Sequence, residues 1–329
     1  MFYLWITLIA ALFSWTLKAD QLEICLDCYH SRYRAPVFVI TRCRHFYHLD
    51  CITRQFVIQP TGSRQCGYCR QNPLPVLHWN TGESYPDTFF PNQTFYDACY
   101  DGDLDQVEKS LAEGVNVNAV MTDDFTPLML ASSGGHTDVV ERLINAGANV
   151  NAARSCGATA LFFAARENNP DCVKLLINAG ANLNAAMTSN GATPLFFAAW
   201  KGNTDCVKIL INAGADLNAA RTSDGATPLF IAAWRGCNDC VEILIHFGAD
   251  LNAARTSDGA TPLLAAAEKG NTECVKALVN AEADLNAART SDGATPLSIA
   301  TRLGHTDCVE ALTATKERKE TKERHFAIQ

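Results

Sequence analysis

From about residue 93 the apolar positions of the chain return in register every 34 residues. Thr159, Thr193, Thr227, Thr261 and Thr295 keep that spacing, and Thr126 precedes the series by 33. Within one unit the pattern predicts two short helices. Thr193 is placed to cap the first, and Pro194 takes the first helical position, where a missing N–H does no harm. Leu195, Phe196, Ala198 and Ala199 make its packing face, and Gly202 ends it. The second helix starts near Thr204 and carries Cys206, Val207, Ile209, Leu210 and Ile211 as a wide apolar stripe. Gly214 supplies the left-handed residue that closes it. Asn218 to Gly225 then turn the chain through a hairpin-like finger. A fixed period of this length marks a solenoid.

The segment ADLNAARTSDGATPL occurs three times without change, from Ala215, Ala249 and Ala283. Seven units follow one another over residues 93–320. The first lacks Thr-Pro-Leu, and the last runs out into Lys316-Glu317-Arg318-Lys319-Glu320; polar, atypical ends of this kind suit capping units. Glu282 stands where other units carry Gly. Thr-Pro-Leu, paired alanines, a glycine turn, a second helix and Gly-Ala-Asp-x-Asn together resemble the ankyrin repeat, which implies an all-α solenoid of helix pairs with hairpin fingers. The resemblance also implies that the residues after the paired alanines face into a concave surface and touch a protein partner. Here they include Trp200-Lys201 and Trp234-Arg235, two indoles with adjacent cations and hot-spot composition. The competing reading is that each Trp packs along its own helix.

Five cysteines, Cys172, Cys206, Cys240, Cys274 and Cys308, share the 34-residue period. Equivalent positions in stacked elements sit ~10 Å apart, beyond the ~7 Å limit for a disulfide. They read as small buried thiols, which suits a reducing compartment such as the cytosol.

The other end of the chain has a different logic. Phe2 to Leu17 is uncharged and apolar, followed by Lys18-Ala19-Asp20, so residues 1–19 read as a targeting segment. Its length fits a signal-peptide core, while the cations after it would leave the remainder of an uncleaved anchor in the cytosol. Both readings stay open. Residues 73–92, with Pro73, Pro75, Pro86 and Pro91, read as a linker, and residues 321–329 as a polar tail.

Between targeting segment and linker, residues 20–72 hold Cys25-x-x-Cys28, Cys43-x-His45, His48-x-x-Cys51 and Cys66-x-x-Cys69. Zinc takes four Cys or His ligands in a tetrahedron, so these eight side chains suffice for two zinc ions. Metal binding supplies the folding energy that so small a segment cannot gain by burial. The ligand order resembles the two-histidine RING finger, a small zinc-stabilised α+β domain. That resemblance implies a cross-brace, with Cys25, Cys28, His48 and Cys51 on one ion and Cys43, His45, Cys66 and Cys69 on the other. It further implies docking of a ubiquitin-conjugating enzyme on Leu26, Ile52 and Phe56. Arg70, after the final ligand, falls where many members contact enzyme and ubiquitin together. Three positions depart from the pattern: Asp27 replaces an apolar residue, Gly67 replaces Pro, and no Trp follows Cys51.

The net charge of −8 leaves no broad basic field for a phosphate backbone, which excludes nucleic-acid binding as the main activity. No nucleophile, base and oxyanion set stands out either. Two functions remain. One is a ubiquitin ligase that holds a conjugating enzyme by its zinc finger and a protein substrate by its repeats. The other is a non-catalytic scaffold with a structural zinc finger. In a chain from a bacterium, the first would act in a host cytosol as a translocated effector.

Overall fold

The computed structural model describes residues 38–40, 46–48, 76–78, 84–85, 92–121 and 124–327. They fall into two compact units that part within the first helix pair: the strands with residues 92–97 and 109–121, and residues 98–108 with 124–327.

In the first unit, β1 (Phe38–Ile40), β2 (Phe46–His48), β3 (Val76–His78) and β4 (Ser84–Tyr85) form one sheet in the order β2-β1-β3-β4. All three pairings are antiparallel, and Phe38 lies opposite His48 at the β1–β2 edge. Strands β3 and β4 come from the stretch whose prolines read as a linker. Pro75 and Pro86 flank these strands in sequence.

The repeats are built from fourteen helices in seven pairs. The first helices are α1 (Gln93–Asp101), α3 (Pro127–Gly134), α5 (Ala160–Arg166), α7 (Pro194–Lys201), α9 (Pro228–Arg235), α11 (Pro262–Lys269) and α13 (Pro296–Leu303). Their partners are α2 (Leu104–Ala112), α4 (Thr137–Asn145), α6 (Pro170–Asn178), α8 (Thr204–Asn212), α10 (Asn238–His246), α12 (Thr272–Asn280) and α14 (Thr306–Ala327). From α3 onward, first helices stack on first helices and second on second. The last helix continues through the polar segment after residue 320.

Sequence dictates each start and stop. Thr193 Oγ1 accepts the Phe196 N–H at 3.3 Å, Thr227 that of Phe230 at 3.2 Å, and Thr261 that of Leu264 at 3.4 Å. These threonines are buried, so the cap satisfies a donor that water cannot reach. Gly202 at φ 77° and Gly236 at φ 75° end α7 and α9 in the left-handed region. The core is the stacked face: Leu195, Ala198, Ala199, Leu229, Ala232 and Ala233 are all 0 % exposed. The capping last repeat departs from this, with Thr301 exposed where its neighbours place an alanine.

Polar ladders lock the register between repeats. Asn184 Oδ1 accepts the Asp216 N–H at 3.0 Å, Asn218 that of Asp250 at 2.9 Å, and Asn252 that of Asp284 at 2.9 Å. A second ladder runs back from the start of each second helix. Asn203 Nδ2 donates to the carbonyls of Ala165 and Arg166, and Asn271 Nδ2 to those of Ala233 and Trp234. Cys237 occupies that place in the intervening repeat and carries no amide to reach Ala199 and Trp200. In the fingers, Arg221 pairs with Asp224 at 2.9 and 2.5 Å, and Arg255 with Asp258 at 2.9 and 2.6 Å. The guanidinium hydrogen bond holds the Asp224 and Asp258 carboxyls below their usual range. That contribution is present above the unfolded carboxylate pKa and lost as pH falls through the depressed folded value.

Two substitutions check these local arguments. Glu282 adopts φ 68° after α12, where equivalent Gly147, Gly180, Gly214 and Gly248 adopt 85–95°. Glu282→Gly relieves a side chain held in the left-handed region and should stabilise the protein by ~1 kcal/mol; no rise in unfolding midpoint would show the strain is absorbed elsewhere. Cys237→Asn restores two side-chain donors to the ladder and should stabilise by ~1 kcal/mol, read by denaturant unfolding. A loss of stability would mean that the thiol packing beside Gly202 outweighs the missing hydrogen bonds.

Candidate functional site

The C-terminal turns of α7, α9 and α11 present corresponding residues side by side: Trp200-Lys201, Trp234-Arg235 and Glu268-Lys269. The paired alanines just before them are consumed by stacking, so the next two positions leave the packed face. Trp200 and Trp234 are half-buried, while Lys201, Arg235 and Lys269 are exposed. Neither indole is therefore free in solvent. Trp200 lies edge-on to Phe197 of its own helix, with centroids 5.5 Å apart. Phe197 in turn meets Phe162 of the preceding repeat at 4.7 Å, which anchors the indole to an aromatic row. Packing and surface presentation are both true of Trp200.

Cations stand near both indole rings. Lys201 Nζ stands 5.3 Å from the Trp200 ring centre, and the Arg235 guanidinium of the next repeat 6.0 Å from it. Lys269 Nζ lies 4.7 Å over Trp234, again reaching back one repeat. None of the three has a carboxylate oxygen within the 4.0 Å of an ion pair among the described residues. Glu268, the nearest acidic neighbour in sequence to Lys269, is engaged elsewhere: it takes Arg289 at 3.2 Å. Glu268 stands where the two preceding repeats carry Trp200 and Trp234, and a second substitution lies one turn earlier. Arg221 and Arg255 lie over Phe196 and Phe230 at 5.1 and 5.0 Å, but the next repeat has Leu264 at that position. With no ring beneath it, Arg289 reaches both Asp292 and Glu268.

The finger arginines fall outside the positions that the sequence assigns to the concave face, whereas Glu268-Lys269 is one of the pairs equivalent to Trp200-Lys201. The 34-residue recurrence of Arg221, Arg255 and Arg289 was the signal available for the former. The periodic cysteines behave as the spacing predicts. Cys172, Cys206, Cys240, Cys274 and Cys308 are buried free thiols. Burial pushes Cys206 and Cys274 up to about 12 and Cys240 to about 11, so they pack and do not act as nucleophiles. A separate open groove between α8 and α10 is lined by Lys208, Asp239, Glu242, His246 and Phe247, the last two replacing the Asn-Ala of other repeats.

His48 ends β2. Cys25, Leu26, Cys28, Cys43, His45, Cys51, Ile52, Phe56, Cys66, Cys69 and Arg70 lie outside the described residues, as do residues 1–19. Among the described residues no group of three or more His, Cys, Asp or Glu could hold a metal ion, and no helix is long and apolar enough to cross a membrane.

The two indoles should differ in what they contribute to stability. Trp200→Ala removes an aromatic pair worth ~0.5–1.5 kcal/mol beyond the area both indoles bury, and Trp234 has no ring partner of that kind among the described residues. Denaturant unfolding should show Trp200→Ala to be the more destabilising by about that margin; equal losses would exclude Phe197 as the cause.

Comparison with known proteins agrees with this geometry. A family-level match described as "Ankyrin repeats (3 copies)" spans residues 95–187, 180–255 and 247–323. The crystal structure of the human ASB11 ankyrin repeat domain is similar at 28 % identity with a TM-score of 0.60, over 67 % of this chain and 96 % of that one. No curated protein matches the chain. Family match, capped helix pairs and inter-repeat ladders coincide over the same residues, and the chain belongs to the ankyrin-repeat family.

Proposed function

We propose that this chain is a RING-type ubiquitin ligase whose ankyrin repeats hold a protein substrate on the face carrying Trp200 and Trp234. The family supports protein–protein interaction for the array. The observation that carries the ligase half is the order of eight Cys and His side chains between Cys25 and Cys69. Their donor chemistry suits zinc, which prefers thiolate and imidazole in a tetrahedron. His48 ends β2, which pairs antiparallel with β1, and Cys43 and His45 precede it by five and three residues in sequence. Two zinc ions held by Cys25, Cys28, His48 and Cys51 and by Cys43, His45, Cys66 and Cys69 would supply folding energy and no bond chemistry.

The mechanism is then one of proximity. Leu26, Ile52 and Phe56 offer apolar surface to a ubiquitin-conjugating enzyme. Arg70, with five donors in a planar fork, bridges enzyme and ubiquitin and holds the thioester in a reactive posture. A substrate lysine brought close by the repeats attacks the thioester carbonyl. The isopeptide bond forms as the thiolate leaves on the conjugating enzyme. Buried unpaired thiols throughout the array suit a reducing cytosol as the place of action. Asp27 and Gly67 favour a second reading, in which the finger is structural and the chain a scaffold.

One set of measurements on purified full-length protein separates the two. Metal analysis should find two zinc ions per chain, lost in part on His48→Ala while the repeats keep their melting transition. With a panel of charged conjugating enzymes, the parent should discharge ubiquitin and Arg70→Ala should slow it at least tenfold, ~1.4 kcal/mol in the barrier. A parent without discharge that gains it on Asp27→Ile would establish the scaffold. Zinc-free folded protein would remove both.

A further inference from the structure

We propose that the face of α7, α9 and α11 takes an acidic protein segment in extended conformation, with carboxylates on Lys201, Arg235 and Lys269 and an apolar side chain against the indoles between them. The proposal rests on the reading that the repeats capture a protein, and it names the chemistry of what they capture.

Charge accounting leads to it. The chain carries 35 acidic against 27 basic residues, so a cation has carboxylates to spare. Several cations elsewhere in the array use them. Arg166 meets Glu167 at 2.5 Å, Lys174 meets Asp171 at 2.9 Å, and Lys276 meets Glu273 at 2.8 Å. Arg302, at the same repeat position as Arg235's neighbour Trp234, reaches Asp292 at 3.6 Å. Among the described residues Lys201, Arg235 and Lys269 have no such partner, although they stand on three consecutive repeats. Each instead stands near an indole ring. The ring quadrupole attracts the cation and fixes its position without neutralising its charge. Three oriented, uncompensated positive charges on an acidic protein form a local field of opposite sign, which complements an acidic partner and repels a basic one.

Spacing narrows the class further. Neighbouring repeats lie ~10 Å apart, the distance of packed helices. A segment in the extended polyproline II form advances ~3.1 Å per residue with three residues per turn, so acidic residues three apart lie on one side and place their carboxylates on consecutive repeats. The residues between them face the half-buried indoles, where an apolar side chain displaces water from ring surface that the fold has left uncovered. Three cations are too few for a nucleic-acid backbone, which such proteins engage through many phosphate contacts.

The test uses full-length, zinc-loaded protein and three labelled probes: a synthetic peptide with Glu at every third position and Leu between, its counterpart with Lys in place of Glu, and a single-stranded oligonucleotide. Fluorescence anisotropy should show the Glu peptide binding at least ~10-fold tighter than the other two at low salt, with the margin shrinking as salt screens the exposed charges. The triple variant Lys201→Glu, Arg235→Glu, Lys269→Glu should invert the preference between the peptides. Should its melting transition be lost, the milder pair Lys201→Gln, Lys269→Gln should reduce Glu-peptide binding without inverting it. Equal binding of the two peptides, oligonucleotide binding as tight as the Glu peptide, or a preference unmoved by these variants in folded protein overturns the proposal. Ubiquitin discharge is read separately: its absence beside acid-selective binding removes the ligase reading and keeps this one, and the reverse pattern does the opposite.

Discussion

Ala198 and Ala199 of α7 are fully buried although the helix is only eight residues long, because α9 lies directly against them. The same is true of Ala232 and Ala233 beneath α11. A helix pair of this size cannot cover its own apolar flank, so each repeat leaves a face that only the next can bury. That mutual dependence is the constraint from which the rest follows. It demands small residues where first helices touch. It demands caps such as Thr193 and Thr227 that satisfy helix ends out of reach of water. It also demands polar ladders to hold neighbours in one register, supplied by Asn184, Asn218 and Asn252.

The recognition face is a by-product of the same geometry. Once the alanines are used for stacking, the helix must turn out of the interface, and the next two side chains are released to the surface edge. Two repeats place Trp there and one places Glu268. The consequences spread beyond those positions. Where Phe196 or Phe230 sits beneath a finger arginine, that arginine keeps to its own aspartate. Leu264 provides no ring, Arg289 extends to Glu268, and Lys269 is left over Trp234 without a counter-ion. Two changes between repeats, Leu264 in place of Phe and Glu268 in place of Trp, accompany this rearrangement of charge.

Two modules with different sources of stability would be joined in a ligase of this design. The array draws on burial between neighbours. The segment from residue 20 to 72 has too little apolar mass for that and carries eight metal-type ligands instead. On the proposed reading, such a division would let the repeats change their surface without disturbing a finger held by metal.

The sequence by itself determined the seven repeats, the helix starts at Thr and Pro, the glycine stops, the buried thiols and the strained position at Glu282. Each of these is fixed within a few residues, by helical period, cap chemistry or the steric cost of positive φ, so a local reading suffices. It also fixed the order of zinc-type ligands, which depends on residue identity and spacing alone. Only the tertiary structure decided that the indoles are half-buried, that Trp200 rests on Phe197, and which cations go without a carboxylate. It also placed two strands at residues 76–78 and 84–85, where proline content had read as linker. The physical reason is shared. Partners such as Trp200 and Arg235, or Trp234 and Lys269, are 35 residues apart, and whether they meet depends on stacking, not on the pattern within either repeat.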